Sequence, residues 1–419
     1  MKKSSPYQAV VFGGGTGSRM IEITTTIPKC LLPVANKQML WYPLNYLESS
    51  GFSEVIVIVP AKCLAPVQSL MSKEYRFSIK IDWFGLPADQ ESCGTADALR
   101  MIANRIHSDV VLLSCDFITD LPLNDLLTVH QIADATVTCL FASNAIQGSA
   151  PGPKSKRKVE RDIVAIEPVE QRLAFLASED DLDEDTLSFP RNWLVRFPQA
   201  KFTTKLTDCH LYIMKKWVIE ILKQNNEFSS IKADFIPYLI TLQYAKTLNP
   251  SLQKLCGGME PATEYSHSLS KSRNPVRCLA YVPKPEQASF YARLNNYGSY
   301  FEANKQIVKA FPKWISQPSS VPADCVFGKD SVTQGQIKRS VIGPNCVVAD
   351  KSKVVNSLLM DHVHIGSGAN ITNSIICHSA QIGEKAEVKD SIVGTSKEVI
   401  SLGRVVSEII GDSSQMLDI

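Results

Sequence analysis

Three glycines and two cations near the amino terminus have the residue types and spacing that could bind a polyphosphate. Gly14, Gly15 and Gly17 follow a short apolar run, and Arg19 and Lys29 come shortly after them. Glycines let backbone N–H groups approach phosphate oxygens without interference from Cβ atoms. Arginine and lysine at fixed positions can balance the phosphate charge. The segment therefore predicts a nucleotide-binding domain.

Two common glycine motifs do not fit this segment. No Lys-Ser or Lys-Thr pair follows the glycines, as the P-loop pattern requires. The dinucleotide pattern G-x-G-x-x-G fails because its sixth position falls on Ser18 or Met20. A tight turn from strand to helix, without a ligand, stays open as the alternative, and the two cations favour phosphate binding.

Two later segments also suit nucleotide chemistry. Gly94 and Thr95 begin the segment Gly-Thr-Ala-Asp-Ala, and Asp116 follows an apolar run that starts at residue 110. In-line displacement at an α-phosphate needs a cation to neutralise the developing charge. A carboxylate such as that of Asp116 could hold Mg²⁺ for this purpose.

Together these segments resemble those of the sugar-nucleotide pyrophosphorylases, which join a sugar 1-phosphate to a nucleoside triphosphate. The likeness rests on the signature residues of that family, which in this chain are 14–19, Thr24, Pro28, Lys29, 94–98 and 110–116. The resemblance implies that the segment with Gly94 and Thr95 contacts the base, and that Asp116 binds a metal.

The elements that would position these residues belong to an α/β fold. Apolar runs alternate with helical patterns over residues 9–243, which predicts a Rossmann-like nucleotidyltransferase domain at 1–244 with a mainly parallel sheet. The predicted strands are 9–12, 55–59, 79–83, 110–114 and 135–141, and the predicted helices are 40–49 and 96–106. Ligands bind beyond the carboxyl ends of such strands, where the glycines and Asp116 fall.

The middle of the chain gives weaker signals. Residues 245–320 show little periodicity and are predicted to form a linker, with some helix around 289–303. A basic insert at 154–158 and an acidic insert at 179–185 interrupt the first domain. Solvated surface is the favoured interpretation of both inserts, and contact with another protein is the alternative.

The carboxyl-terminal part contains an internal repeat. Ser340, Ser357, Ser374 and Ser391 stand 17 residues apart, and each period divides into steps of six, six and five. Such a repeat predicts a triangular parallel β-helix at residues 321–396, with residues 397–419 as a cap or tail. Resemblance to hexapeptide-repeat proteins implies the left-handed form. The open end of a short prism suggests pairing through the repeat.

The composition excludes several other classes of protein. The 419 residues have a net charge of only +2, so nothing in the bulk charge indicates nucleic acid or a membrane surface as a partner. No apolar stretch approaches the length of a membrane span. The eleven cysteines contain no C-x-x-C pair, which suits reduced thiols in the cytosol.

Several departures from the pyrophosphorylase pattern predict that catalysis has been lost. Glu22 stands where the family has proline, and Cys115 stands where it has the glycine before the metal-binding aspartate. Ser178, beside Glu179, stands where the family has a lysine for the sugar phosphate. Loss of a charge-assisted contact of this kind weakens binding by about 1.5–3 kcal/mol. Asp208 is a candidate for a second metal-binding carboxylate.

A nucleotidyltransferase domain, a hexapeptide prism and an impaired sugar site together resemble the nucleotidyltransferase-like subunits of translation initiation factor 2B, and among these the gamma subunits. The segments that carry this likeness are residues 18–20, 28–29, 31–34, 41–45, 114–116 and 208–212. The resemblance implies a non-catalytic cytosolic subunit that pairs with the epsilon subunit and promotes GDP/GTP exchange on initiation factor 2. It implies no cofactor, no direct contact with nucleic acid and no membrane.

Two alternatives stay open. One is an active sugar 1-phosphate nucleotidyltransferase of the mannose-1-phosphate guanylyltransferase type, which retains Arg19, Lys29 and Asp116 and would use Mg²⁺ on that aspartate. The other is a scaffold whose glycine loop binds GTP or ATP without turnover. On the leading interpretation the glycines, the two cations, Gly94, Thr95 and Asp116 are vestiges of a nucleotide site.

Overall fold

The computed structural model of the chain describes residues 5–15, 17–88, 93–143, 145–153, 161–179, 186–256, 275–315 and 321–411. The chain divides into two compact units. Unit 1 comprises 1–14, 43–145 and 158–291, and unit 2 comprises 15–42, 146–157 and 292–419. The units therefore interleave along the sequence, whereas the predicted boundaries after residues 244, 320 and 396 follow one another in order.

Unit 1 is an α/β unit, and its elements are numbered here along the whole chain. Its strands are β1 (Gln8–Phe12), β4 (Glu54–Pro60), β5 (Lys80–Leu86), β6 (Val110–Ser114), β7 (Phe117–Thr119), β8 (Val137–Ala142), β9 (Asp162–Glu167), β10 (Arg172–Ser178), β11 (Lys201–Thr203), β12 (Thr207–Met214) and β13 (Cys278–Tyr281). Its helices are α3 (Ala61–Glu74), α4 (Thr95–Met101), α5 (Leu123–Ile132), α6 (Arg191–Arg196), α7 (Lys216–Gln224), α8 (Ile236–Leu242) and α9 (Pro250–Cys256), with α2 (Trp41–Ser49) crossing the unit boundary.

Ten of these strands form one sheet, in the order β11-β9-β10-β13-β8-β12-β6-β1-β4-β5. β1 pairs in parallel with β4 and β6, and β4 pairs in parallel with β5. β12 runs antiparallel to both β6 and β8, and β9 runs antiparallel to β10 and β11. The prediction of a mainly parallel sheet is therefore wrong for the second half, because an apolar run does not encode the direction of its partner.

The sheet is covered by buried helices, and these set the main core of unit 1. Val10 and Leu112 of the sheet pack in one apolar cluster with Leu99 of α4, Leu222 of α7 and Phe235 before α8. The ends of the predicted strands and of the first predicted helix agree with the observed ones to within three residues. The helix predicted at 96–106 is shorter in the structure, because α4 ends at Met101 and a 3₁₀ turn at Ala103–Arg105 follows it.

The prediction that residues 245–320 form a linker is wrong. β13 lies inside the sheet between β10 and β8, and pairs with both. A helix, α9, precedes β13, and α10 (Tyr297–Ala310) replaces the helix expected around 289–303. A buried strand of four residues is too short to give a periodic signal, which explains why composition dominated the prediction.

Unit 2 contains a left-handed parallel β-helix whose strands form sheets of six, five and five. The first sheet contains β15 (Val326–Phe327), β18 (Val341–Ile342), β21 (Leu358–Leu359), β24 (Ile375–Ile376), β27 (Ile392–Val393) and β30 (Ile409–Ile410). The second contains β16 (Val332–Thr333), β19 (Val347–Val348), β22 (His364–Ile365), β25 (Gln381–Ile382) and β28 (Glu398–Val399). The third contains β17 (Gln336–Lys338), β20 (Lys353–Val355), β23 (Asn370–Thr372), β26 (Glu387–Lys389) and β29 (Arg404–Val406).

The predicted serine register is confirmed as a buried ladder. The N–H of Ser357 donates to Ser340 Oγ at 3.1 Å, that of Ser374 to Ser357 Oγ at 3.2 Å, and that of Ser391 to Ser374 Oγ at 3.1 Å. The β-helix continues through β28, β29 and β30, so the prediction of a cap or tail from residue 397 is wrong as far as residue 410. The spacing of the serines did not predict this last coil, because the next position of the 17-residue repeat is Glu408 instead of a serine.

The rest of unit 2 includes the residues that follow the first glycines. These form a 3₁₀ turn (Ser18–Met20), α1 (Ile21–Thr24), a second 3₁₀ turn (Lys29–Leu31), β2 (Pro33–Val34) and β3 (Lys37–Gln38), and β14 (Tyr291–Arg293) precedes α10. The β2–β3 hairpin is held within the unit, because Asn304 of α10 accepts from the N–H of Ala35 at 2.8 Å and Asn36 donates to the carbonyl of Ile342 at 2.8 Å.

Two sequence features fall largely outside the described residues. The basic insert at 154–158 lies wholly outside them, and of the acidic insert at 179–185 only Glu179 is described. Among the helices of the described ranges, none has the length and apolar character that crossing a membrane requires.

Candidate functional site

Gly17 is required by the backbone of the glycine segment. Its φ is +71°, a left-handed conformation, and a Cβ there would lie 2.5 Å from Thr24 Cγ2. The hydroxyl of Thr24 donates to the carbonyls of Met20 at 3.0 Å and Gly17 at 3.2 Å. A tight turn therefore accounts for this glycine without a ligand.

Gly14 and Gly15 are not explained by crowding. A Cβ on Gly14 would meet Leu86 Cδ1 at 3.4 Å, and one on Gly15 would meet Lys29 Cδ at 3.7 Å, both ordinary contacts. The Lys29 stem thus lies beside Gly15, and Arg19 is exposed on the 3₁₀ turn. Packing within the chain therefore does not require glycine at these two positions, and ligand binding stays open as the reason for their presence.

Gly94 lies against another part of unit 1. A Cβ on Gly94 would come within 2.1 Å of the Ser229 carbonyl oxygen, so glycine is needed for this packing. That oxygen accepts from the N–H of Ala96 at 2.8 Å, and the Thr95 hydroxyl accepts from the N–H of Ile231 at 2.9 Å. The start of α4, where the resemblance places a base, is therefore bonded to residues 229–231 of the same chain.

Asp97 completes this contact. Its Oδ2 accepts from the hydroxyl of Ser229 at 2.7 Å and from the N–H of Gly94 at 3.2 Å, and its Oδ1 accepts from Arg100 at 2.6 Å. Burial alone would raise the pKa of Asp97, but the hydrogen bonds from Ser229, Arg100 and Gly94 lower the pKa overall. Asp97 is thus an ionised clamp between α4 and residue 229.

Asp116 is positioned by the end of β6. The N–H of the preceding Cys115 donates to the carbonyl of Phe12 at 3.0 Å, which ties the β6 end to the β1 end. The hydroxyl of Ser114 donates to Asp116 Oδ1 at 2.6 Å, and the aspartate is buried. The predicted metal ligand is therefore at the expected strand end but is held by the chain itself.

A cavity of about 20 Å³ lies at this end of the sheet. Its lining residues come from the ends of β1 and β6, the start of α4, the middle of β12 and the turn before α8, and are Phe12, Thr95, Ser114, His210, Tyr212, Ile231 and Lys232. The structure thus brings Thr95 together with the hydroxyl partner of Asp116. A volume of this size holds about one water molecule, far less than a nucleoside.

A bulge in β12 aims polar side chains at the cavity. The pairing of β12 with β8 shifts register between Asp208 and Tyr212, and His210 between them has a φ of +51°. The hydroxyl of Tyr212 donates to Asp208 Oδ2, and the N–H of His210 donates to Asp208 Oδ1 at 3.1 Å. Bulges commonly redirect side chains next to functional sites.

Asp162 and Lys232 form an ion pair beside the same cavity. Lys232 Nζ lies 2.6 Å from Asp162 Oδ1, and Asp162 Oδ2 accepts from the N–H of Asp208 at 3.0 Å. Ser178 pairs directly with Asp162 across β9 and β10. The sequence analysis did not predict either member of this ion pair. In the sequence each is only a charged residue next to apolar residues, which does not indicate a partner.

These residues do not fit a divalent metal. No group of three or more histidine, cysteine or acidic side chains in the described ranges is arranged to hold one. Asp116 is bonded by Ser114, Asp208 by Tyr212, and Asp162 by the Lys232 ammonium. An ammonium among carboxylates repels a second cation.

Two family models match the chain. Residues 8–147 match the model described as "Nucleotidyl transferase", and residues 314–415 match the one described as "GMPPB C-terminal domain". These matches agree with the α/β sheet of unit 1 and with the β-helix of unit 2.

Curated proteins with similar sequences include translation initiation factor eIF2B subunits. The gamma subunit of Caenorhabditis elegans is 32% identical over 360 residues, which are 81% of this chain and 80% of that protein. The gamma subunit of Schizosaccharomyces pombe is 30% identical over 77% of this chain and 71% of its own length. The epsilon subunit of Dictyostelium discoideum is 25% identical over 58% of this chain and 34% of its own. A mannose-1-phosphate guanyltransferase of S. pombe matches over a shorter stretch, 28% identical over 31% of this chain and 36% of its own.

Proposed function

Since the chain belongs to the family of eIF2B gamma subunits, we propose that it is a non-catalytic, regulatory subunit that pairs with an epsilon subunit and promotes GDP/GTP exchange on initiation factor 2. As a member of this family it is a subunit of a multi-subunit translation factor. Its contact with initiation factor 2, its pairing with epsilon and its place in the cytosol belong to the proposal.

The observation that supports the absence of catalysis is the small volume of the cavity at the carboxyl ends of β1 and β6. Its volume of about 20 Å³ admits about one water molecule. The Thr95 hydroxyl and the α4 amino terminus are bonded to residues 229–231. A nucleoside base could occupy this small cavity only if those hydrogen bonds broke, and each would have to be replaced by one to the ligand.

The predicted site residues are, on this proposal, remnants of a nucleotide site that need no cofactor. In unit 1 they are Gly14, Gly94, Thr95 and Asp116, and in unit 2 they are Gly15, Gly17, Arg19 and Lys29. Packing explains Gly17 and Gly94 without a ligand. Gly14 and Gly15 have no such explanation and are the residues at which bound GTP or ATP is best sought.

The experiment is recovery of the tagged full chain from its own cells, with the bound proteins identified by mass. The proposal predicts stoichiometric epsilon and further factor subunits, and faster GDP release from initiation factor 2 when this chain joins epsilon than with epsilon alone. Recovery as a self-assembled oligomer without those proteins would contradict it.

An active mannose-1-phosphate guanylyltransferase is the second candidate. The shorter match with the S. pombe enzyme favours it. The serine at position 178 and the ion pair at Lys232 weigh against it. The two candidates differ in turnover, which is directly measurable.

A further inference from the structure

The part of unit 1 that contains α6 and β11 presents a positively charged surface. It is formed by residues 186–206, here called the α6–β11 surface, and these residues include no aspartate or glutamate. Because the whole chain has a net charge of only +2, this is a local concentration of positive charge. The four cations of the surface are all exposed, and are Arg191, Arg196, Lys201 and Lys205.

Exposed apolar side chains belong to the same surface. Leu194 and Val195 of α6 are 55% and 75% exposed, and Phe202 of β11 is 45% exposed. The Phe202 ring lies 5.8 Å from the ring of Trp193, which is the buried anchor of α6, and 5.4 Å from the ring of Phe189. The aromatic rings therefore join α6 and β11 into one continuous surface that combines apolar area with positive charge.

β11 also forms an edge of the ten-stranded sheet. It pairs with β9 on one side, and no strand in the described ranges pairs with it on the other. An edge strand presents main-chain N–H and C=O groups with which another strand can pair. Short length and lysine residues at an edge protect against aggregation, but protection does not explain the exposed Phe202 on the same strand. The edge therefore has the features of a docking site.

The opposite edge of the sheet, at β5, provides a contrast. There the exposed cations are balanced by acids of the same chain. Lys80 lies 3.1 Å from Glu54, and Arg105 lies 2.9 Å from Asp82. The α6–β11 surface has no acid of its own to balance its cations. Its charge is therefore complementary to an acidic partner.

We propose that the α6–β11 surface binds an acidic, partly apolar segment of another protein, which pairs as a strand with the open edge of β11. Only a polypeptide can pair with the main chain of an edge strand, which favours a protein over RNA or anionic lipid. The acidic insert at 179–185 matches the charge but not the apolar area, because Leu182 is its only apolar residue. The inference goes beyond the proposed function, since the absence of catalysis does not involve this surface.

The test measures peptide binding by the purified full chain, followed by fluorescence anisotropy. The probe is a labelled peptide of about ten residues that alternates glutamate with valine, so that an extended conformation has one acidic and one apolar face. We expect a Kd on the order of micromolar, which rises at least about tenfold between about 50 mM and about 500 mM NaCl because salt screens exposed charges. The same peptide N-methylated at alternate residues lacks the donors for strand pairing and should bind at least about tenfold more weakly.

Variants of the chain locate the binding to the α6–β11 surface. Lys201→Glu reverses a charge on β11, and Leu194→Asn removes apolar contact on α6, so each should raise Kd at least about fivefold. The matched controls are Lys73→Glu, at an exposed lysine of α3, and Ile132→Asn, at an 81% exposed isoleucine of α5, and both should bind like the wild type. All four positions are exposed, so the variants should keep the wild-type Tm.

Four results would overturn the inference. The first is no binding of the peptide, or equal binding by the wild type and Lys201→Glu. The second is equal binding of the N-methylated peptide, which would exclude strand pairing. The third is tighter binding of poly(U) RNA or phosphatidylserine vesicles, lost in Lys201→Glu, which would mean a general polyanion surface. The fourth is peptide binding that appears only when the acids of residues 180–185 are replaced by amides, which would mean that the chain's own insert occupies the surface. Recovery of the chain with epsilon tests the proposed function separately, because peptide binding by the isolated chain does not depend on epsilon.

Discussion

The β-helix of unit 2 and the cavity of unit 1 both contain buried polar side chains, but they satisfy them in different ways. In the β-helix each ladder serine accepts from the backbone N–H 17 residues later, so one contact is repeated along the prism. Around the cavity each polar group has a different kind of partner, near in sequence for Asp116 and Ser114 and far in sequence for Asp162 and Lys232. Because its contacts repeat, the β-helix can be predicted from the sequence. The contacts around the cavity do not repeat, so each belongs to that place in the fold alone.

The largest expected effect comes from breaking the cavity's own pair. Asp162→Asn leaves the Lys232 ammonium buried without its counter-ion, which should lower the free energy of unfolding by about 3–5 kcal/mol. Urea denaturation measures this change. Asp82→Asn, in an exposed pair with Arg105 of 2.9 Å, is the control and should cost less than about 1 kcal/mol. Equal effects of the two variants would mean that the pair beside the cavity contributes no more than an exposed ion pair.

The next effect tests the close packing of the β-helix. A Cβ on Gly343 would lie 2.5 Å from the carbonyl carbon of Met360 in the next coil. Because backbone atoms cannot move aside without disturbing the ladder, Gly343→Ala should destabilise the protein by about 3 kcal/mol. Gly14→Ala is the matched change in unit 1, where the nearest atom would be 3.4 Å away, and it should be nearly neutral. Thermal unfolding of both variants decides the comparison.

A third prediction uses pH on a buried histidine of α5. Burial, with the nearby Lys215, lowers the pKa of His130 to about 4, from an ordinary value of 6.5. Between these values the unfolded chain binds the proton and the folded chain does not, so stability falls as pH drops from 6.5 toward 4. The loss should be at most about 3 kcal/mol for this group.

Replacement of His130 should reduce that acid dependence. We expect a shallower fall in unfolding free energy for His130→Gln than for the wild type, in denaturation curves at stepped pH. His107→Gln, at an exposed histidine, should keep the wild-type slope. An unchanged slope in His130→Gln would mean that this imidazole is not held neutral.

The smallest effect concerns one rung of the serine ladder. Ser374→Ala removes the acceptor of the Ser391 N–H and leaves that buried donor unsatisfied, which should cost about 1–2 kcal/mol. Ser357→Ala should cost the same, since its hydroxyl makes the equivalent bond to Ser374. Clearly different values for the two variants, measured in urea, would contradict the view that the rungs are equivalent. Ser72→Ala, on an exposed helix surface, is the control.

The sequence allowed prediction of the parts that depend on local pattern. The β-helix followed from the spacing of Ser340 to Ser391, and β1 and β6 followed from apolar runs that end at Phe12 and Ser114. The position of Asp116 at a strand end followed from the same pattern. Each of these features depends on residues close together in the chain, where periodicity gives a direct signal.

The parts that could not be predicted depend on partners far apart in sequence. β13 enters the sheet beside β8, more than 130 residues earlier in the chain, and its four residues carry no periodic signal. The Asp162–Lys232 ion pair and the hydrogen bond from Ile231 to Thr95 likewise join residues that are far apart in the sequence. Such contacts are set by tertiary packing, which overrides local propensity.

The most direct test of the central claim, that this chain performs no nucleotidyl transfer, is pyrophosphate release by the purified full chain. GTP or ATP is supplied with Mg²⁺ and a panel of sugar 1-phosphates that includes mannose 1-phosphate, and Asp116→Ala is run beside the wild type. The small volume of the cavity, about 20 Å³, predicts the same background rate for both proteins. A rate in the wild type that Asp116→Ala abolishes would contradict the account and establish an active nucleotidyltransferase.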